Sequence, residues 1–573
     1  MSTQIPSDAY RAIEDIVGLD NISNDPAFLD SYAFEVMAET VRPNFDHFMP
    51  RPWAIVLPGS TEEVAAVTRV CNKYKIKVKP ISTGWYHWAA PLTENEPTVQ
   101  FDLRRMDKIL EIDEKNMFAI VEPYVICAQL QAEVMKRGLN LNIIGAGCST
   151  SIVASTCAYF GAGPSSYYMG HNSENLLGQE WVTPAGEVIR TGSLSSGCGW
   201  FCSEGPGPSP RGVTRGALGS RGGLGTYTKC AIKLSPWQGP PVMEAKGRPP
   251  GYRLPVHENF RVYSIGAPDW NAWANCYYEI YDNNIGYIFH RQFNLAGADL
   301  APALWLNYID PTKTINDVET SVKDLEIQKV TEEARISFQF IMQGNSVEDI
   351  QLQDKILDAI LKETGCYKVK RFCEPDMAEF TNMYLQRLGH KHCNYIWVGG
   401  YMGSWMQPGT PDFTKNYVPV AIDGFNRDQK SHQLVECGGD AMMGCGSTIG
   451  GGGYCGLEQF VSYDPLEKDS VAACVKHMED ATADALANGV PPGKEYLYLQ
   501  VGWQQDRVFD AWAKIPQQFV FNFQRKIKQA FDPNELGDRN YPWLPEGWGQ
   551  KAQATAAAPD SKSCNSELEA ASK

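Results

Sequence analysis

The chain has 573 residues, 43% of them hydrophobic and 21% charged, with a formal net charge of −16. That length allows two to four structural units around a sizeable core, while the acidic balance excludes general nucleic-acid binding and docking on an anionic membrane, which both need a basic face. No run approaches the roughly 18 apolar residues that cross a bilayer, and "MSTQIPSDAYRAIEDIVGLD" lacks the basic start and apolar centre of a secretory signal, so a cytoplasmic protein without membrane insertion is expected.

A short helix is expected near residues 9–17, inside an entry segment of about fifty residues. "RPWAIVLPGSTEEVAAVTRVCNKYKIKVKPIS" then reads as strand, turn, helix, strand. Pro58, Gly59 and Ser60 break the apolar run "WAIVL". Ser60 or Thr61 caps a helix with Glu62 and Glu63 in its first turn, where carboxylates complement the helix dipole. Val64, Val67, Val70 and Cys71 follow at helical spacing. The next strand delivers "PISTGWYHWAAP", in which small turn residues run straight into three aromatic rings and an imidazole. Such a stretch suits backbone that approaches a ligand closely, beside a wall for something flat.

Further strands are expected in "TVQFDLRRMDKILEID" and "FAIVEPYV", and a helix ending near Gly138 in "CAQLQAEVMKRGLNL". Residues 145–163, "GAGCSTSIVASTCAYFGAG", read as a loop of small residues. "GQEWVTPAGEVIRTG" reads as a hairpin about Pro-Ala-Gly, and "RGGLGTYTKCAIKLSPW" as a Gly-rich turn and a closing strand. Pro-rich stretches mark a boundary at 237–255. Beyond it, helical patterns at 316–330, 347–363 and 466–488 alternate with strands such as "ISFQFIMQG" and "NYIWVGGYMG". An amphipathic helical region, "VFDAWAKIPQQFVFNFQRKIKQAFDPNELG", closes the ordered chain.

Sixteen cysteines are scattered without any C-x2-C pair, so those in apolar company, such as Cys71, Cys127, Cys230 and Cys474, read as small buried hydrophobes. The nine histidines form no ligand helix, and no metal site is expected. "GGLGTY" and "GCGSTIGGGGYCG" fit neither the Walker phosphate loop nor the dinucleotide fingerprint, which speaks against a nicotinamide Rossmann domain.

The segments "AIVLPGSTEEVAAVTRVCNKYKIKVKPISTG", "FDLRRMDKILEIDEKNMFAIVEP", "EWVTPAGEVIRTG" and "GGLGTYTKCAIKL", in that order across nearly 190 residues, resemble the FAD-binding domain of the vanillyl-alcohol oxidase and p-cresol methylhydroxylase (PCMH-type) family. Features of its phenol-oxidising branch and of its glycolate-oxidase and D-lactate-dehydrogenase branch are both present. The resemblance implies an α+β flavoprotein with a PCMH-type FAD-binding domain over 1–240, an α+β cap for the substrate over 241–504, a C-terminal return to the first domain over 505–548, and a disordered tail over 549–573. It implies FAD, with its pyrophosphate held by backbone amides of Pro80, Ile81, Ser82, Thr83, Gly84 and Trp85. A second loop, with Gly145, Ser149, Ser151 and Ser155, would cover the flavin. Glu174 and Asn175, and Gly223, Gly225 and Thr226 toward the adenosine half, complete the implied contacts. The chain departs from the family at Tyr124, where a Gly is common, at Val153-Ala154 in place of Gly-Gly, and at Tyr86, His87 and Trp88.

Oxidation at a flavin removes a hydride from carbon and a proton from oxygen, so a base is needed. His171 in "YYMGHNSEN" is the first candidate, because phenol-oxidising relatives carry an acid after the matching glycine. A slip of one residue would put Asn172 there. His390 and His392 share a face of an expected strand, with Tyr395 and Tyr401 following. One of these histidines would attach the flavin covalently, bind substrate or serve structure, and His87 is a third attachment point. Tyr454 and Glu458 stand beside a flexible turn, where Glu458 either meets a substrate hydroxyl or is solvated. Tyr167, Tyr168, Tyr384 and Arg387 form a weaker tier. The expected function is FAD-dependent oxidation of a C–OH or activated C–H in a phenolic or aromatic alcohol. The alternatives are a 2-hydroxy-acid dehydrogenase and an electron-relay flavin subunit of a larger complex. The expected partners are the small-molecule substrate and an electron acceptor, oxygen or a redox protein, and a homodimer is expected.

Overall fold

The computed structural model describes residues 4–33, 38–41, 46–84, 96–144, 147–159, 161–205, 209–214, 219–247, 253–291, 329–330, 332–386, 400–402, 410–431, 461–487 and 519–538. Among them no helix is long and apolar enough to cross a membrane.

Strands β1 (Ile22–Ser23), β2 (Ala54–Val56), β3 (Lys77–Ile81) and β4 (Thr98–Asp102) form the first sheet in the order β1-β2-β4-β3, with β4 parallel to both β2 and β3. Every residue of β2 and β4 is buried, the pattern of a parallel sheet covered on both faces. The helix Thr61–Lys73 makes the crossover from β2 to β3. Ser60 caps it, its Oγ accepting from the Glu63 amide at 3.1 Å. Val64, Val67 and Cys71 pack with Val56, Val78 and Phe101 in one core.

Strands β5 (Ile109–Asp113), β6 (Phe118–Val121), β7 (Leu139–Asn140), β8 (Leu176–Val182), β9 (Val188–Arg190), β10 (Thr226–Lys233) and β11 (Ser235–Pro236) come next. β7 pairs with β11, and the other five form an antiparallel sheet in the order β5-β6-β10-β8-β9. The hairpin expected from "GQEWVTPAGEVIRTG" is β8–β9. The helix Cys127–Met135 ends before Gly138 as its sequence indicated. The crossover helix is tied to the second sheet at Glu180 on β8, which accepts from Thr61 Oγ1 at 2.6 Å and from Lys229 Nζ on neighbouring β10 at 2.8 Å.

Residues 519–538 return to this part of the molecule. Phe531, at the end of the helix Phe519–Phe531, lies 4.9 Å from the Trp181 ring, and Val78 N donates to Leu536 O at 2.9 Å beside a parallel bridge from Val78 to Gly537.

Strands β12 (Phe260–Gly266), β13 (Ile288–Arg291), β14 (Ser337–Gln343) and β15 (Tyr367–Lys368) form an antiparallel sheet in the order β13-β14-β12-β15. Alternate residues face opposite sides. Phe289, Phe338 and Phe340 pack under the helices Trp270–Asp282 and Val347–Thr364, while Ile288, Ile341 and Val262 face the helix Pro375–Leu385. The helices Pro411–Ser431 and Lys468–Ala487 follow, with a small ladder of β16 (Gly400–Met402) and β17 (Val461–Tyr463). Tyr463 Oη donates to Glu39, which fastens this end of the chain to the first.

Two expectations changed. The first helix starts at Ser7. The expected loop 145–163 contains a helical turn whose last part, Ala154–Ala158, has the wider π winding. Small side chains at Ala154, Ser155 and Ala158 leave room for that winding, which is uncommon and often found at functional sites. Residues 316–328 and 390–399 of the expected cap elements lie outside the described residues.

Candidate functional site

The expected pyrophosphate loop leaves β3 at Ile81. Because β3 and β4 are parallel and Ile81 pairs with Asp102, two chain segments emerge side by side at the carboxyl ends of the strands, where α/β sheets place their ligands. Ser82, Thr83 and Gly84 line a cleft of roughly 330 Å³, together with Phe28, Tyr32, Asp102, Arg104 and Tyr124. Gly84 has φ +64°, and among the described residues nothing lies within 4 Å of where its Cβ would stand. Pro80 sits deeper, its ring against Gly222. Trp85 and His87 lie outside the described residues, as does Gly145.

The second loop is held by hydrogen bonds to its own sequence neighbours and to the loop that follows. Ser151 Oγ donates to Pro123 O at 2.6 Å and accepts from Ala154 N at 3.0 Å. Asn172 Nδ2 donates to Ser155 Oγ at 3.0 Å, while Asn142 Nδ2 donates to Asn172 Oδ1 at 3.0 Å and to Gly161 O at 2.8 Å. Ser149 is only half-buried at the turn. Asn172 is therefore committed to joining the two loops, and His171, the base expected from the sequence, is its chain neighbour. His171 is 8% exposed. Burial pushes its imidazole below the ordinary value, with Glu174 pulling weakly the other way.

Glu174 is exposed, and its carboxylate accepts from His171 N at 2.9 Å. The Asn175 amide donates to His171 O, and its carbonyl accepts from Lys233 N at 2.8 Å. Both residues thus shape the turn that presents His171. Gly225 has φ +113°, and a Cβ there would meet Val182 O at 2.1 Å; Thr226 is buried beside it at the start of β10. Gly223 O accepts from Lys528 Nζ, and Lys528 pairs with Asp532 at 2.7 Å. The described contacts of these glycines are packing contacts, and they close the seam with the C-terminal return.

The loop bearing His171 also touches the sheet β13-β14-β12-β15, in the stretch expected from the sequence to be a cap. The helix Ser166–Met169 packs against β13, Tyr167 Oη donates to Ile285 O at 2.9 Å, and the half-exposed Tyr168 ring lies 5.4 Å from Tyr287. Tyr384 is buried 6.0 Å from His290. The cap candidates His390, His392, Tyr395, Tyr454 and Glu458, and Arg387, lie outside the described residues.

Sequence reasoning passed over a charged corner of the cleft. Arg104 Nε and Nη2 donate to Asp102 Oδ2 at 2.8 and 2.5 Å, and Tyr32 Oη donates to the same oxygen at 2.7 Å. "FDLRR" at the end of a parallel strand was the available signal; Tyr32 comes from seventy residues earlier and could not be placed from sequence.

A family model described as an FAD binding domain matches residues 52–192. The 1'-carboxy-chondrochloren decarboxylase of Chondromyces crocatus is 28% identical over 247 residues, 41% of this chain and 42% of that protein. The glycolate oxidase subunit GlcD of Bacillus subtilis (strain 168) is 24% identical over 232 residues, 40% of this chain and 46% of that one. The chain thus spans less than half the length of these curated relatives. The crystal structure of p-cresol methylhydroxylase with substrate bound superposes with a TM-score of 0.67 at 19% identity, covering 92% of this chain and 94% of the other. The residues present suit such a cofactor. Ser82, Thr83 and Gly84 line a cleft at the carboxyl ends of the parallel strands, and Thr156 Oγ1 is buried with no hydrogen-bond partner among the described residues.

Proposed function

We propose, for a chain whose residues 52–192 are an FAD-binding domain and whose fold is that of p-cresol methylhydroxylase, with FAD as cofactor, that it is an oxidoreductase acting on a C–OH or activated C–H of a small aromatic molecule. The observation that carries this reading is His171, a buried, neutral-leaning imidazole inside the FAD-binding domain, on a loop bonded to the second cofactor loop and packed against the cap. FAD, when bound, supplies the hydride acceptor.

His171 takes the proton from the substrate hydroxyl. Because burial disfavours the imidazolium, the ring is ready as a base at neutral pH, and the proton must be passed on before the next turnover. The Glu174–His171 N bond and the committed Asn172 hold the ring's backbone still. Tyr168, half exposed and resting against the buried Tyr287, offers a ring to an aromatic substrate. Ser82, Thr83 and Gly84 present backbone to the pyrophosphate from the cleft. Sequence similarity to the glycolate oxidase subunit favours a second reading, a 2-hydroxy acid as substrate.

The test is anaerobic mixing of the yellow holoprotein with a panel of phenols, benzylic alcohols and 2-hydroxy acids. Bleaching by an aromatic member supports the first reading and bleaching by a hydroxy acid alone supports the second. Return of colour in air marks oxygen as the electron acceptor; its absence points to a redox protein. No bleaching by any compound would sink both readings and favour an electron-relay subunit.

A further inference from the structure

The cleft has a polar corner that a loop of backbone amides does not need. Asp102 is 1% exposed. Its Oδ2 accepts from Tyr32 Oη and from two nitrogens of Arg104, and its Oδ1 accepts from the Arg104 backbone amide at 3.0 Å. Tyr32 Oη in turn accepts from Arg104 Nη2 at 3.1 Å. The carboxylate is satisfied on both oxygens, and the guanidinium is pinned in one orientation. Its Nη1 has no hydrogen bond among the described residues, and the Arg104 side chain is half exposed, 50%, at the cleft wall shared with Ser82, Thr83 and Gly84.

We propose that Arg104 is a side-chain ligand of the FAD pyrophosphate, with Asp102 and Tyr32 as its positioning residues. The proposal rests on residues 52–192 holding FAD. Three arguments support it. Ile81 and Asp102 are register partners on parallel strands, so the segments carrying Gly84 and Arg104 leave the sheet together and face the same space. A guanidinium presents paired donors that match phosphate oxygens, and pre-orientation by a carboxylate lowers the entropy lost on binding. Finally, half of the Arg104 side chain stays exposed on the cleft wall that Ser82, Thr83 and Gly84 also line, so its donors are accessible from the cleft. Tyr32 serves by closing the remaining valence of Asp102: burial and the facing carboxylate raise its phenol well above the ordinary value, so it stays a proton donor. Without Arg104, the buried Asp102 charge would face the phosphates uncompensated, so the arginine acts both by attraction and by masking a repulsion.

The experiment titrates the flavin-free full chain with FAD, reading flavin fluorescence, with the melting temperature of the same flavin-free samples as the check on folding. Arg104→Gln should weaken FAD binding about 10- to 100-fold, the scale of a charged hydrogen bond; because it also leaves the buried Asp102 carboxylate without its cation, it should lower the flavin-free melting temperature, so affinities are compared at a temperature where every variant is folded. Arg104→Lys should recover part of the loss as a point charge. Asp102→Asn in the Gln background should also recover part of it, by removing the repulsion. Inorganic pyrophosphate should compete with FAD on the wild type and more weakly on Arg104→Gln. Unchanged FAD affinity in Arg104→Gln overturns the proposal. So does a loss that tracks the melting temperature and is the same for Gln and Lys, which marks a structural pair. A wild-type chain that binds no FAD instead overturns the FAD reading on which the proposal rests.

Discussion

The five-stranded sheet β5-β6-β10-β8-β9 and the sheet β13-β14-β12-β15 bury different chemistry. Around β8 and β10 the core is mostly Val, Leu, Ile and Cys with Trp181 and Tyr227, pierced by bonded polar groups such as Glu180, held to Thr61, Lys229 and Arg190, and Asn172, held to Ser155 and Asn142. Backbone runs unusually near backbone there; a Cβ on Gly163 would stand 2.0 Å from Ile143 O. In the cap, rings do the holding. Phe289 alone lies 4.2 Å from Tyr277, 4.3 Å from Phe338 and 6.2 Å from Trp273. A region that brings main chain to a ligand needs small residues, and it recovers cohesion through hydrogen bonds. A region held by rings can bury large apolar area instead.

The largest expected effect breaks the comparison at its chemical end. His171→Ala should slow anaerobic flavin reduction by roughly 100- to 10,000-fold, the scale of general-base catalysis, with a smaller change in substrate binding; stopped-flow bleaching measures both. Wild-type reduction should rise with pH through an apparent pKa below the ordinary value of about 6.5, because burial lowers it. The same lowering makes the fold bind fewer protons than the unfolded chain, so this histidine's contribution to stability is full above about 6.5 and is lost as pH falls through the lowered folded value. A wild-type rate in the variant would send the search for the base to His392, Tyr395 and Glu458.

Next comes the cap's dependence on rings. Phe289→Ala should cost about 3–5 kcal/mol, read by denaturant unfolding, while the pH profile of flavin reduction keeps its apparent pKa. A cost under about 1 kcal/mol would show that the aromatic face is not what holds this sheet.

Glu180→Gln tests the other region and should cost about 1–3 kcal/mol. Burial alone pushes this carboxyl up, but hydrogen bonds from Lys229 and Thr61 outweigh it and leave it below the ordinary value. Its contribution to stability is therefore present above the unfolded pKa of about 4.3 and fades as pH falls through the lower folded value. The Gln variant should show a flatter acid limb; an acid limb as steep as wild type would remove Glu180 from the account. The smallest effect is local: Ser60→Ala should cost about 1 kcal/mol through the lost cap, measurable by the same denaturant method.

What the sequence revealed follows the range of the forces involved. Ser60, the Pro-Ala-Gly turn and the helix stop near Gly138 are settled by neighbours within a few residues, and each appears where expected. Cys71, Cys127, Cys230 and Cys474 are buried, as apolar company indicated. The helical turn in 145–163 was missed because what steadies it comes from Asn172, seventeen residues downstream of Ser155. The order β13-β14-β12-β15 was not legible either, since alternation identifies a strand but not its neighbour. At the site, "PISTG" announced its loop through small residues, whereas Arg104 needed Tyr32 and Asp102 to be seen as one group.

The closing contact between β3 and Leu536 also sets a clock. Val78 is made early, and the segment that pairs with it arrives only after the whole cap has been translated. At 5–20 residues per second, the roughly 280 residues between β11 and the returning helix take about 15–60 s to emerge from the ribosome. For that interval Trp181 lacks Phe531, Lys79 lacks Asp538 at 3.4 Å, and the edge at β3 is unpaired on that side. The nascent first half is thus a holding state, exposed to premature partners, and becomes finished only when the last piece is threaded home.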